Sequence, residues 1–190
     1  MIAVAMATTM AASSKEKINI TTGQDIANLI STCSKCTNIT NGGNYITSYI
    51  HLKELVVPKQ SKVAIVVNSE EDFSENVGHW IVLVVFLGGV SGRHLILCDG
   101  LNETETKAPK VMQAIRHFCQ LNSLTYTNLD LRCQLQTSQT CGFISLFFLA
   151  KASIMSLDSF ILLRNTMKRN SVHTNEEVAI NFVKLHYSTH

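Results

Sequence analysis

The sequence has little charge. Asp, Glu, Lys and Arg make up only 16% of its 190 residues, and the formal net charge is +2. So small an imbalance announces no strong electrostatic partner, and with 46% apolar residues the composition is globular, not disordered. A small basic cluster, Arg164, Lys168 and Arg169, reads as a solvated helix face rather than a nucleic-acid surface. No stretch offers the roughly 20 apolar residues of a membrane helix, so no membrane partner is expected. The N-terminal run MIAVAMATTMAASS lacks a charged n-region, and threonines interrupt its apolar residues. It predicts a flexible extension over residues 1–17, a single domain over residues 18–190, and a protein that is not secreted. Internal repeats are absent.

The six cysteines lack a disulfide pattern. Cys98, Cys119 and Cys133 sit inside apolar runs and read as buried thiols in a reducing compartment. Cys33-x-x-Cys36 lacks a second pair at ligand spacing, and no strand precedes it, so neither a zinc site nor a redox motif is expected. His51, His94, His117, His173, His186 and His190 show no ligand spacing either. No metal and no cofactor are expected.

What is present is an α+β pattern. Thr21 and Thr22 can cap a helix over QDIANLISTC, and CTNITNGGN reads as a loop. NYITSYIHLKELVVP is ambiguous and ends at Pro58. KVAIVVN, HWIVLVVF and RHLILC are strands, the last two joined by a GGVSG turn. DGLNETETKAPK is a loop, VMQAIRHFCQLN a helix, and LTYTNLDLRCQLQ an alternating, half-buried strand. FISLFFLAKASIM is apolar all round, which predicts a helix buried in the core. DSFILLRNTMKRN and NEEVAINFVKLHY are amphipathic helices. The expectation is a sheet of roughly four or five strands packed on one central helix.

Three positions combine into a chemistry. His79 opens one strand and Asp99 closes the next, and their midpoint is Gly89 in the intervening turn. Residues equidistant from a hairpin turn face each other, so the hairpin can set a carboxylate beside this imidazole. Such an acid fixes the imidazole tautomer and stabilises the imidazolium. Cys141 enters the apolar helix from a polar loop, where helix-terminal N–H groups favour thiolate over thiol. Gly142 beside it lets a substrate approach the backbone, and the Cys141 N–H is a natural oxyanion donor. A second donor can come from Gln134 or Gln136, which share the polar face of the preceding strand. For at least one of these two, that face is merely solvated.

These motifs resemble the adenovirus protease family. The similarity lies in KVAIVVN, a polar loop and GHW opening an aliphatic strand, in CDGLN, and in QLQTSQTCG. In the last, a glutamine stands seven residues before the cysteine, a serine three before it, and Cys-Gly enters an apolar helix. The order His, acid, Gln, Cys is shared with the SUMO and ubiquitin-like-protein proteases, whose glutamine usually stands six ahead, here Leu135. The resemblance covers about residues 21 to 150, and NEEVAINFV is similar to the polinton and adintovirus proteases.

It implies a papain-like architecture in permuted order, with the nucleophile at the N-terminus of the buried helix. It implies Cys141 as nucleophile, His79 as base, Asp99 as the orienting acid, and Gln134 with Cys141 as the oxyanion hole. It also implies a monomeric thiol endopeptidase that cleaves viral structural precursors, in the virion and the host nucleus or cytoplasm. A weak DNA or peptide activator belongs to that expectation. Two departures stand out: adenovirus enzymes carry glutamate at the Asp99 position, and no counterpart of their peptide-binding cysteine is found. Two alternatives remain: an isopeptidase acting on ubiquitin or a SUMO-like modifier, and an inactive binding module of the same fold.

Overall fold

The structure is a computed structural model. It describes residues 20, 22–41, 45–57, 62–71, 78–88 and 92–187. The expected extension, the end of a segment at Pro58 and the turn residue Gly89 lie outside the described residues.

Five strands form one mixed sheet in the order β1-β2-β3-β4-β5. They are β1 Ile46–Ser48, β2 Lys62–Asn68, β3 Trp80–Leu87, β4 Arg93–Cys98 and β5 Thr125–Asn128. The two outer pairings are parallel and the two inner ones antiparallel. In β2 and β3, Val63 to Asn68 and Trp80 to Phe86 are buried without interruption. That pattern marks strands covered on both faces.

Each face has its own core. On one side Val63, Ile65, Leu83, Val85 and Leu97 pack against α4 (Pro109–Leu121) and a 3₁₀ turn, Tyr49–Glu54. On the other, Ala64, Val66, Val82, Val84 and Ile96 meet α5 (Cys141–Ile154). Helix α5 is itself enclosed, because α1 (Gly23–Ser31), α2 (Ser34–Ile39) and α7 (Val172–His186) pack around it. Phe143 to Ala150 are therefore all buried. Each fully buried Leu or Phe contributes about 1.5–3 kcal/mol relative to exposure, so this helix is a large part of what holds the layers together. Phe148 also meets Phe160 of α6 (Leu157–Met167) at 6.2 Å between ring centroids.

Polar devices fix the ends. Thr22 and Asp25 form a reciprocal capping box on α1. Lys62 Nζ, at the start of β2, donates to the carbonyls of Ala152, Ser153 and Met155, each at 3.0 Å. A cation at the C-terminal end of α5 satisfies its last carbonyls and complements its dipole. The opposite, N-terminal end carries Cys141.

Three expectations need correction. CTNITNGGN is not simply a loop: Cys33 caps α2, its sulfur accepting from Cys36 N–H at 3.4 Å. The loop after Asp99 contains a short helix, α3 Thr104–Lys107. The strand expected over LTYTNLDLRCQLQ ends at Asn128. Asp130 has a φ of 50°, which breaks extended backbone, and the N–H groups of Cys133 and Gln134 both converge on Gly100 O at 2.9 Å. Leu129, Leu131 and Cys133 stay buried, but without a strand ladder.

Among the described residues no helix is long and apolar enough to cross a membrane. The basic cluster is partly neutralised, since Arg164 and Lys168 both pair with Asp130.

Candidate active site

His79 sits immediately before β3, and its backbone is held on both sides. Its N–H donates to Ser69 Oγ at 2.8 Å, and its carbonyl accepts from Ser69 N–H at 2.9 Å. Gly78 just ahead has a φ of 93°, and a Cβ there would lie 2.3 Å from Asn68 Oδ1. Only glycine lets the chain enter β3 at this angle.

Asp99 follows β4 and is 1% exposed at its side chain. Both oxygens are fully used. Oδ1 accepts from His79 Nε2 at 2.6 Å and from Leu101 N–H at 2.9 Å. Oδ2 accepts from Glu103 N–H, Thr104 N–H and the Thr104 hydroxyl, each at 2.8 Å. The residue thus builds its turn and holds the imidazole at the same time. Burial alone raises its pKa, but the bonds and charge of His79 and the Thr104 donors outweigh it and hold the carboxyl below its ordinary 3.8.

The meeting of these two residues departs from the register expected. Val82 pairs with Cys98 and Leu87 with Arg93, which centres the hairpin one position beyond Gly89. Continued outward, that register sets Asp99 level with Ile81, two residues along from His79. Diagonal neighbours in a sheet lie roughly 7–8 Å apart, a gap that an imidazole spans.

Cys141 is the first residue of α5. Its thiol is hydrogen-bonded to the His79 ring, and it accepts from the backbone N–H groups of Trp80 and Gly142. Nε2 is engaged by Asp99, so Nδ1 is the ring nitrogen that remains for the thiol. Burial raises the thiol's pKa, but His79 and the two N–H groups prevail and lower it below the ordinary 9.0. The other buried cysteines go the opposite way. Burial pushes Cys36 up to about 12, Cys119 up to about 11, and Cys98 and Cys133 well above their ordinary value. His79 is pulled down by burial, but Asp99 and Cys141 raise it to about 9. Both shifts act in one direction, toward thiolate and imidazolium.

The two glutamines separate. Gln134 is 2% exposed, its Nε2 donates to Ser138 O at 3.1 Å, and its Oε1 is buried without a hydrogen-bond partner. A Cβ on Gly100 would come within 3.0 Å of that oxygen, so glycine after Asp99 makes room for Gln134. Gln136 is exposed and donates to Glu103 Oε1 at 3.2 Å. The placement of Gln134 on a polar strand face is thus overturned, because the chain turns inward where it meets Gly100.

Gly142 is also constrained. A Cβ there would lie 2.5 Å from Ile20 Cγ2 and 2.9 Å from Ile20 O. Ile20 therefore sits directly against the Gly142 backbone, next to Cys141.

Several participants carry no local signal. The Trp80 N–H on Cys141 belongs to a backbone that any residue supplies. Ser69 lies in a polar run that reads as solvated loop. Thr104 is nearer to legible, since polar residues after an Asp-Gly pair often nest a carboxylate. Cys33-x-x-Cys36 resolves into a cap and a core contact, with Cys36 Sγ 3.0 Å from Tyr187 Oη. Among the described residues no group of three or more His, Cys, Asp or Glu side chains is arranged to hold a metal ion. No protein-family model matches the chain, and no curated protein matches it.

Proposed function

We propose that this protein is a thiol endopeptidase of papain-like architecture in permuted order, which cleaves the structural precursor proteins of a virus or virus-like element. The observation that carries the reading is the chain of contacts from Asp99 through His79 to Cys141 at the start of a buried helix. A base held by an acid at 2.6 Å and bonded to a thiol of lowered pKa is what nucleophilic acyl transfer needs. The precursor substrates, the monomeric state and action in the virion and the host nucleus or cytoplasm rest on the resemblance.

The chemistry runs as follows. The Cys141 thiolate attacks the peptide carbonyl carbon, and the carbonyl π electrons move onto oxygen. That oxyanion takes hydrogen bonds from the Cys141 N–H, a first-turn group with no intrahelical acceptor, and from the second Nε2 hydrogen of Gln134. The His79 imidazolium then protonates the leaving amine, and the C–N bond breaks to leave a thioester. Water attacks the thioester with His79 as base, releasing the acid and the thiolate.

The test compares the purified protein with its Cys141→Ala variant on peptides and on ubiquitin or SUMO-like probes with a C-terminal electrophile. Hydrolysis of short Gly-containing peptides by the wild type, lost in a folded Cys141→Ala, is the expected result. Full activity in that variant would overturn the reading. Exclusive reaction with modifier probes would redirect it to an isopeptidase.

A further inference from the structure

Glu176 lies on α7 and is only 5% exposed. Among the described residues it forms no ion pair. A buried carboxylate without a cation must be offset by hydrogen bonds. Among the described residues, its hydrogen bonds fall on one oxygen and come from one loop. Glu176 Oε1 accepts from Leu135 N–H at 3.2 Å, from the Ser138 hydroxyl, and from the Thr140 hydroxyl at 2.5 Å.

The order of those donors is informative. Leu135 follows Gln134, and Thr140 precedes Cys141. One oxygen therefore grips both ends of the loop that separates the two oxyanion donors. Ser138 sits between them, and its carbonyl holds the Gln134 amide at 3.1 Å.

Thr140 adds a second point. It is the N-cap residue of α5, yet its side chain makes no capping bond. A threonine there ordinarily turns its hydroxyl onto the first-turn N–H groups. Here the hydroxyl is drawn to Glu176 instead, and the N-terminal end of α5 beside Cys141 stays clear of it. Glu176 has a firm base for this task. Ser171 caps α7, and the buried Asn175 donates to Met167 O at 2.9 Å. Ala179 and Val183 anchor the helix in the core with α5.

We propose that Glu176 is a positioning residue for the oxyanion hole. It sets the spacing of Gln134 Nε2 and Cys141 N–H through the loop between them, and it keeps the Thr140 hydroxyl off α5. The proposal rests on the thiol-peptidase reading above.

The experiment compares wild type, Glu176→Ala and Glu176→Gln by two readouts, with thermal unfolding as the fold control. The first is kcat and KM on a short fluorogenic peptide with a Gly-Gly segment before the scissile bond. The second is the rate of Cys141 alkylation by iodoacetamide, which needs the thiolate but no oxyanion. In Glu176→Ala, kcat should fall about 10- to 100-fold, the scale of a displaced oxyanion donor. KM and the alkylation rate should stay within about threefold, on the principle that lost transition-state contacts leave ground-state binding alone. Glu176→Gln keeps an acceptor oxygen and should recover most of the kcat. An unchanged kcat in Glu176→Ala overturns the proposal, and so does an equal fall in kcat and alkylation, which marks general loosening. Should Glu176→Ala not fold, the Ser138→Ala, Thr140→Val double variant carries the same expectation. A wild type that alkylates at Cys141 but hydrolyses nothing removes the peptidase reading itself. Hydrolysis by the wild type with no loss in the variants removes only the role of Glu176.

Discussion

Asp99 holds His79 through one carboxylate oxygen at 2.6 Å and uses the other to cap Glu103 and Thr104. The acid that orients the imidazole is therefore also the keystone of its own turn. A change at this position acts on stability and on chemistry together, and the two must be separated by choice of substitution.

Asp99→Ala leaves the Leu101, Glu103 and Thr104 N–H groups without their acceptor, beside a histidine that loses its partner. Breaking a buried pair from one side costs about 3–5 kcal/mol. Urea unfolding should show a loss on that scale. Asp99→Asn keeps an acceptor oxygen and should lose less stability. Its kcat should still fall on the order of 10²–10⁴-fold, because the imidazolium is no longer stabilised. Wild-type kcat in a folded Asp99→Asn would remove the orienting role.

The pH behaviour follows from the shifts. His79 is raised from 6.5 to about 9, so its contribution to stability is fully present below pH 6.5 and is lost as pH rises through about 9. Asp99 is lowered from 3.8, so its contribution is present above that value and is lost as pH falls through the depressed one. Cys141 is lowered as well, so iodoacetamide should alkylate it at pH values where an ordinary thiol, at 9.0, is slow. Hydrolysis should decline above about pH 9 as the imidazolium loses its proton. His79→Ala removes the largest of the influences that lower the thiol and leaves its burial, so the alkylation midpoint should move up. A midpoint that stays in place would show that Cys141 is tuned by something other than His79.

The two glutamines should differ sharply. Gln134→Ala should lower kcat by about 10²–10³-fold with Cys141 alkylation unchanged, as loss of one oxyanion donor does. Its stability should move by no more than about 1 kcal/mol, since the lost bond to Ser138 is offset by removal of a buried unpaired oxygen. Gln136→Ala removes only an exposed bond to Glu103 and should leave kcat near wild type. Equal effects in the two variants would refute the separation.

The sequence by itself determined the strands β2, β3 and β4 and the buried helix, and it singled out Cys141, His79 and Asp99 as candidate site residues. Each rests on local physics: β-branched runs covered on both faces, an all-apolar helix, and polar residues at the ends of apolar elements. The α+β class follows from those same runs, whereas β1, which lies in the ambiguous segment, and the parallel pairings of both outer strands do not. The tertiary structure decided what depends on neighbours distant in the chain. The hairpin register is one such case: Asp99 comes in diagonally to His79, because the pairing of Val82 with Cys98 fixes where each strand ends. The separation of buried Gln134 from exposed Gln136 is another. Convergence of the Cys133 and Gln134 N–H groups on Gly100 O turns one side chain inward and leaves the next outside. Glu176 was hidden for the same reason. On an amphipathic helix a glutamate reads as solvated, and only the packing of α7 against α5 brings its carboxylate under the loop that ends at Cys141.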